Sequence, residues 1–259
     1  MSMTDPETVE EQHISRSLPP VLMYHSVAEY DSDPYNVTVR PARFARQLCW
    51  LRLRGWTGVG VGHLLRAHRA GDARGLVGLT FDDGYVDFET TVVELLRRHG
   101  FTATVFVLPG RLGGYNGWDG DGPTKPLMTA EQVRCVAARG MEVGSHGLLH
   151  RRLSTLPHHE AVEEIHRSRA ELEELVQDEV SGFCYPYGDL DTVTEQEVRA
   201  AGYSYACAVR PPHRGGLFTL PRIYVGDRDN GPRLEMKRWR AALRESGSFR
   251  VGRHSPHGV

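Results

Sequence analysis

Two short strings of the sequence, LTFDDGY and HGLLH, carry the residues best suited to chemistry. The first places Asp82 and Asp83 directly after an apolar run, and the second places His146 and His150 four residues apart. If HGLLH is a helical turn, both imidazoles face the same way, which is a metal-ligand spacing. Two histidines and one carboxylate leave open positions on a metal ion, which suits activation of a water rather than a structural role.

The two adjacent acids are expected to have different tasks. Neighbouring residues of a strand point to opposite faces, so Asp82 and Asp83 should lie in different surroundings. One would bind the metal, and the other would stay free to accept a proton from the metal-bound water as general base. The charge of the metal would keep both carboxyl groups ionised.

The chain predicts a scaffold of alternating strands and helices for these residues. Apolar runs such as VLMYHSV, GLVGLTFDD, TATVFVLP and MEVGSH alternate with stretches of helical periodicity, and Thr129 with Gln132 has the spacing of a capping box. Such alternation implies a mainly parallel sheet with right-handed crossovers. We predict an α/β protein, a single-domain distorted (β/α)7-type barrel, with an open doubly wound sheet as the alternative.

Several polar residues fall at the carboxyl ends of the predicted strands, namely His25, Asp82, Asp83, His146 and Tyr187. Functional sites of parallel α/β barrels are built at that rim. A single histidine or aspartate there is often structural, so it is their convergence on one rim that indicates a site.

The composition excludes several classes of partner. The chain has 259 residues, of which 25% are charged, with a net charge of −2, which argues against nucleic acid or an anionic membrane as the main partner. Its apolar runs are too short to span a bilayer.

Four cysteines lie far apart without a C-x-x-C pair, which predicts reduced, mostly buried thiols in a cytoplasmic protein and no cysteine metal site.

The two strings resemble motifs of the polysaccharide deacetylases, carbohydrate esterases of family 4 related to the nodulation chitooligosaccharide deacetylases. The resemblance covers roughly residues 20–226. TFDDG matches the T-F-D-D-G motif in full, which implies that Asp82 is the catalytic base and Asp83 a metal ligand. HGLLH matches H-(S/T)-x-x-H, which implies that both histidines bind metal. Gly147 replaces the hydroxyl residue, so a supporting hydrogen bond is lost.

The third motif of the family, R-x-P-(Y/F), appears as CYPYG. Pro186 and Tyr187 match it and are expected to line the substrate groove, with the Tyr187 amide in the oxyanion site. Cys184 replaces the arginine that orients the base, and Arg222 in LPRI is the candidate substitute. The D-x-x-D-W motif and the late L-x-H motif, which supplies the general acid, are not visible.

The form of the first strand and the YPYG string resemble the branch that deacetylates poly-N-acetylglucosamine. In that branch the acid histidine comes from the early strand, so His25 is the expected general acid, with a packed strand-end histidine as the alternative. The Gly-rich segment 111–127 is too long for a simple connection. Its Trp118 and Tyr115 are expected either to stack on sugar rings or to pack within the protein.

The resemblance implies a metal-dependent hydrolase that removes the N-acetyl group of an amino sugar. Zn²⁺ is the first choice of metal, with Co²⁺, Ni²⁺ or Fe²⁺ as alternatives. Two other functions stay open: hydrolysis of a cyclic imide or ureide on the same fold, and carbohydrate binding without catalysis.

The expected organisation is a disordered lead-in without a signal peptide (1–19), the catalytic domain (20–230), and a helix with a flexible tail (231–259).

Overall fold

A computed structural model describes residues 18–209 and 216–245 of the chain, without the side chains of residues 242–245. Most of the predicted N-terminal lead-in and the predicted C-terminal tail lie outside the described residues. The strands are β1 (Val21–Tyr24), β2 (Ser26–Val27), β3 (Thr38–Val39), β4 (Thr57–Val59), β5 (Leu76–Phe81), β6 (Thr104–Val107), β7 (Glu142–Ser145), β8 (Gly182–Cys184), β9 (Tyr205–Ala208), β10 (Leu220–Pro221) and β11 (Ile223–Tyr224).

The helices follow the strands in the predicted alternation. They are α1 (Pro41–Leu53), α2 (Val61–Arg69), α3 (Val93–Arg98, preceded by a π-helical turn at Phe88–Val92), α4 (Ala130–Ala138), α5 (His158–Val176), α6 (Thr192–Ala200) and α7 (Gly231–Glu245). The capping box predicted at the start of α4 is present, because Thr129 accepts from the Gln132 amide and Gln132 accepts from the Thr129 amide. None of the helices in the described ranges is long and apolar enough to cross a membrane.

All the strand pairs of the sheet are parallel, in the order β10-β9-β8-β7-β6-β5-β1-β11, and β4 pairs with the start of β5. One short segment, 220–224, joins the two ends of this sheet: Leu220 and Pro221 pair with β9, and Ile223 and Tyr224 pair with β1. We call residues 220–224 the closing segment. It completes a barrel of seven strand positions, so the predicted (β/α)7-type barrel is confirmed and the open sheet is wrong.

The hydrophobic core fills the barrel and the space under the helices. The strands are buried along almost their whole length, as expected of parallel strands covered on both faces. Tyr24 stacks on Phe81, and Phe44 of α1 meets both rings edge-on. These contacts hold β1 beside β5, and the side chains that follow these two strands are thereby brought to the same rim.

The cysteines only partly fit the prediction of buried thiols. All four are free, and Cys184 and Cys207 are buried in the barrel, whereas Cys49 and Cys135 are exposed on helices. The helical periodicity of α1 and α4 turns the latter two away from the core, which the sequence spacing alone did not reveal.

Candidate active site

The twin aspartates follow β5, and a left-handed turn separates their side chains. The strand ends at Phe81, and Asp83 has φ +73°, a conformation that is uncommon for a residue other than glycine. Both carboxyl groups are buried. The two side chains lie in different surroundings, as predicted. Both aspartates follow the strand rather than lie in it, and Asp83 has a left-handed backbone, so strand alternation is not the reason.

Asp83 lies between the two histidines of HGLLH. Its Oδ1 is 3.4 Å from Nε2 of His146 and 3.3 Å from Nε2 of His150, and all three side chains are buried. Oδ1 nevertheless lacks a hydrogen-bond partner among the described residues. Two ligand atoms that each lie about 2.0–2.1 Å from a tetrahedral Zn²⁺ are separated by about 3.3–3.4 Å. The three atoms therefore fit a metal ion in both chemistry and spacing.

The HGLLH string is not the helical turn that its spacing suggested. Residues 146–150 form an irregular turn, with φ +79° at Gly147 and φ +65° at His150. Nδ1 of His146 lies 2.8 Å from the carbonyl oxygen of Cys184, to which it can donate a proton. In the neutral imidazole, that hydrogen bond leaves the lone pair of Nε2 on the side of Asp83, as in the histidine ligands of metalloenzymes.

The imidazole of His150 is held between two aromatic rings. Trp118 stacks on it with the ring centroids 4.2 Å apart, and Tyr187 meets it edge-on at 4.5 Å. Trp118 belongs to the Gly-rich segment 111–127, which we call the long loop. The guanidinium of Arg152 lies 4.1 Å from the centre of the Tyr187 ring. Trp118 thus contacts a candidate metal ligand directly, so one face of its indole serves packing within the protein.

Asp82 is bound by a buried arginine. Nη1 and Nη2 of Arg222 donate to Oδ1 and Oδ2 of Asp82 at 2.6 and 2.8 Å, which is a bidentate pair. Arg222 also donates to Oγ1 of Thr80 at 3.1 Å and lies 3.0 Å from Sγ of Cys184. The closing segment therefore carries the guanidinium to the place beside Cys184, the residue that stands where the family pattern has its arginine.

These pairings shift the ionisation of the acids. Burial alone raises the pKa of Asp82, but the charge and hydrogen bonds of Arg222 outweigh it and hold that pKa below its usual range. Burial likewise opposes ionisation of Asp83, but the neighbouring imidazoles of His146 and His150 favour its charged form and bring its pKa well below the ordinary value. Both groups are thus carboxylates at neutral pH, as a base and a metal ligand need to be.

The pKa values of the two histidine side chains are shifted in opposite directions. Burial lowers the pKa of both side chains, and it prevails at His150. At His146 the neighbouring Cys184 and Asp83 raise the pKa well above its usual value. A cation bound here would have to displace that proton, so its binding would release protons and would strengthen as the pH rises.

A second group of donor atoms, from Asp82, His146 and Cys184, also lies close together. Both oxygens of Asp82 and the sulfur of Cys184 face the guanidinium of Arg222. A fixed positive charge in contact with two of the three donors opposes a metal cation. The set of Asp83, His146 and His150 is therefore the better metal site.

The remaining predicted residues lie around this centre. His25 interrupts the first strand, between β1 and β2, and its Nε2 is 3.8 Å from Oδ2 of Asp82. Pro186 is buried, whereas Tyr187 has φ +60° and 43% of its surface exposed. Tyr115 is 61% exposed, at the beginning of the long loop.

Sequence reasoning missed the lysine that ties down the long loop. Nζ of Lys125 donates to Oγ of Ser26 at 2.8 Å and to the hydroxyl of Thr38, and Ser26 in turn donates to Asp87 at 2.6 Å. The long loop is thereby anchored to β2 and β3, close to His25. A lone lysine in a Gly-rich loop gives no signal of such a contact, because its partners are 87 and 99 residues away in sequence.

Comparison with known proteins agrees with this geometry. The family model described as Polysaccharide deacetylase matches residues 70–206. The chain is 24% identical over 211 residues to YxkH of Bacillus subtilis (strain 168), a polysaccharide deacetylase by its name, covering 80% of this chain and 71% of that protein. The match of the family model includes the twin aspartates and HGLLH, whereas His25 and Arg222 lie outside it.

Three further proteins name a sugar or supply a fold. The poly-β-1,6-N-acetyl-D-glucosamine N-deacetylase of Escherichia coli (strain K12) is 24% identical over 260 residues, which cover 83% of this chain but only 37% of that protein. Among solved structures, IcaB from Ammonifex degensii has a TM-score of 0.69 and 26% identity, covering 85% of this chain and 96% of that one. The Streptococcus pyogenes deacetylase PplD, solved with acetate, has a TM-score of 0.72 at 22% identity, covering 85% and 97% of the two chains, and shows the shared fold.

Proposed function

Since the chain belongs to the polysaccharide deacetylase family and is a deacetylase hydrolase, we propose that it removes the N-acetyl group of an amino sugar at a metal site formed by Asp83, His146 and His150. The observation that carries the proposal is the 3.3–3.4 Å spacing of their ligand atoms around an unpartnered carboxylate oxygen. Asp82 lies beside this set and outside it, free of the metal and paired with Arg222.

Zn²⁺ is the metal that we propose, because two imidazoles and one carboxylate form the usual ligand set of a catalytic zinc with an open position. Co²⁺, Ni²⁺ and Fe²⁺ accept the same donors. When bound, such an ion polarises the acetyl carbonyl and lowers the pKa of a water.

The residues of the chain would move the protons. Asp82 accepts the proton of the attacking water, and its bidentate pair with Arg222 keeps it ionised and fixed in direction. His25 donates a proton to the nitrogen of the amino sugar, because an amine leaves far more readily than its anion. The backbone N–H of Tyr187 donates to the oxyanion that forms on the acetyl group.

The substrate that we propose is an N-acetylglucosamine polymer or oligomer. The name of the Escherichia coli relative supports this class of sugar. The partly exposed rings of Tyr115, in the long loop, and of Tyr187, beside His150, offer surface for sugar rings, and an edge of Trp118 is a third candidate. The cytoplasm as the place of action stays a prediction.

Acetate release across a substrate panel tests the function. The panel holds β-1,6- and β-1,4-linked N-acetylglucosamine oligomers, a small N-acetylated glycoside, a cyclic imide and a ureide, with the metal content determined on the same sample. We expect acetate from the amino sugars and none after verified chelation, with activity restored by Zn²⁺ or Co²⁺. Turnover of only the imide or ureide, or binding of sugars without acetate release, would reject the deacetylase proposal for this chain.

Two isosteric variants separate the tasks of the twin acids. Asp83→Asn should lose both stoichiometric metal and activity, because it removes a charged ligand. Asp82→Asn should retain the metal and lose turnover, because it removes the base. Equal metal content in the two purified variants would contradict this division of labour.

His25→Ala tests the general acid. General acid–base catalysis contributes about 10²–10⁴-fold, so kcat should fall within that range while the metal content stays at the wild-type level. His63→Ala is the matched control, since His63 is an exposed histidine on α2. A decrease of only a few-fold in the His25 variant would remove it from the mechanism.

A further inference from the structure

The turn that carries both histidine ligands has two backbone donors in succession on one side. Leu148 N–H and Leu149 N–H both point at a single carboxylate oxygen, Oε2 of Glu164, at 2.8 and 2.9 Å. Glu164 comes from α5 and is almost fully buried. A buried carboxylate with two backbone N–H donors on one oxygen fixes the path of the chain between those donors.

The same carboxylate accounts for the glycine in HGLLH. A Cβ at Gly147 would lie 3.3 Å from Oε2 of Glu164, closer than ordinary van der Waals contact, and φ there is +79°. The position where the family pattern has a serine or threonine is therefore occupied in space by Glu164. The side-chain support that Gly147 cannot give is supplied from α5 instead.

A second contact from α5 holds the beginning of the turn. Oγ of Ser145 donates at 2.8 Å to Oγ of Ser168, one helical turn after Glu164, and accepts the N–H of Gly147 at 3.1 Å. From the segment after β6, Gly110 N–H donates to the carbonyl of Leu148 at 3.1 Å. The turn is thus held by two separate segments, and the bond between Glu164 and the Leu149 N–H is the contact nearest to His150 in the sequence.

We propose that Glu164 is a positioning residue of the metal site, which sets the direction of the His150 imidazole by fixing the backbone at Leu148 and Leu149. His150 adopts φ +65°, and its ring stays 3.3 Å from Asp83 only while that turn is kept. The inference rests on the proposed function, because it concerns the affinity for the proposed metal. Residues that orient metal ligands typically affect affinity about 10–100-fold.

Two variants of Glu164 test the inference. Glu164→Gln keeps an oxygen that can accept both N–H groups, whereas Glu164→Ala removes the acceptor. We expect Glu164→Ala to weaken Zn²⁺ binding about 10–100-fold in competition with a chromophoric chelator, and to alter the d–d spectrum of the Co²⁺ protein. Glu164→Gln should stay within a few-fold of wild type in both measurements.

Glu163→Ala is the matched control, since Glu163 is the exposed neighbour on the same helix and pairs with the exposed Arg167. Thermal unfolding of the metal-free proteins measures any general loss of stability. The inference is overturned if Glu164→Ala only lowers the melting temperature and leaves the Zn²⁺ affinity and Co²⁺ spectrum unchanged, or if Glu164→Gln is as impaired as Glu164→Ala. If the wild-type protein itself takes up no metal, the proposed metal site fails, which is a different result.

Discussion

At the scale of single residues, the pair of Asp82 and Arg222 combines stability with chemistry. Both side chains are buried, and their bidentate contact satisfies both oxygens of the carboxylate. A buried pair contributes little compared with apolar residues of the same size, but removal of one partner leaves an uncompensated charge in the core. We infer that the pair is kept for the orientation and ionisation of the base.

Arg222→Met should therefore be costly in two ways. The free energy of unfolding should fall by about 3–5 kcal/mol, because the carboxylate of Asp82 stays buried without a partner. The value of kcat/KM should fall by about 10²-fold or more, since the base is no longer held ionised and in place. Urea unfolding of the metal-free protein and initial rates measure the two effects.

Adding Asp82→Asn to Arg222→Met should recover part of the lost stability and none of the activity, because the buried charge is gone and so is the base. Arg98→Met is the control, since the ion pair of Arg98 with Glu94 is exposed and contributes little. If the midpoint of urea unfolding of Arg222→Met equals that of the wild type, Arg222 does not stabilise the buried Asp82.

At the scale of elements, the turn after β7 should respond to glycine substitution in a specific way. Gly147→Ala places a Cβ in a left-handed conformation and against Glu164, so we expect a loss of about 1–2 kcal/mol in unfolding free energy and weaker metal binding. Gly140→Ala is the control, because Gly140 has φ +83° and open space around its Cβ position. It should lose similar stability and keep wild-type metal affinity, and equal metal affinity in both variants would contradict the argument.

The contact between α5 and the segment before β9 predicts an alkaline transition. Tyr203 Oη donates to the carbonyl of Ile165 at 3.1 Å. Burial raises the pKa of Tyr203 to about 12 from an ordinary value of 10.0. A group with a raised pKa contributes its full stability below its unfolded-state value, and that contribution is lost as the pH rises from about 10 to about 12.

Tyr203→Phe should accordingly flatten the pH dependence of stability. At pH 9 the variant should be less stable by about 1 kcal/mol, the value of a hydrogen bond. Between pH 10 and 12 the wild-type protein should lose about 2–3 kcal/mol more than the variant, at about 1.4 kcal/mol per pH unit. Urea unfolding across this range measures the difference, with Tyr115→Phe at an exposed site as the control. Parallel curves for the wild type and Tyr203→Phe would refute the prediction.

At the scale of the whole molecule, the proposed metal should stabilise the fold. A ligand that binds only the native state at 1,000 times its Kd adds about 4 kcal/mol. For a chain of this size, that corresponds to a rise of roughly 10 °C in the melting temperature. Differential scanning calorimetry with and without Zn²⁺ measures the rise. It should vanish in Asp83→Asn, and a rise of the same size in that variant would place the metal elsewhere.

The sequence predicted the barrel and most of its rim, because buried parallel strands read as apolar runs and the carboxyl ends of such strands meet on one side. The capping box of α4 could also be predicted, because it is a purely local pattern of two residues. The left-handed turns at Asp83 and His150 could not be predicted, since residue type alone does not fix a positive φ outside glycine.

Glu164 left a fainter signal in the sequence. It is a charged residue on the face of α5 that also carries Ala161, Ile165 and Leu172.

The contact between Arg222 and Asp82 joins residues 140 positions apart, so only the closure of the sheet brings them together. Arg222 could be named from the family pattern only as a substitute for the residue missing at Cys184. Its bidentate contact and its place in the closing segment needed the fold.

The closing segment makes the order of synthesis matter for this enzyme. A chain made from its N-terminus has β1 to β9 before residues 220–224 leave the ribosome. Until then the sheet edges at β1 and β9 are unpaired, and the buried Asp82 lacks the guanidinium of Arg222. Unpaired edges are sites of aggregation. A product that stops before residue 220 would thus be both inactive and prone to aggregate. Deacetylase activity would therefore be found only in chains whose barrel is complete.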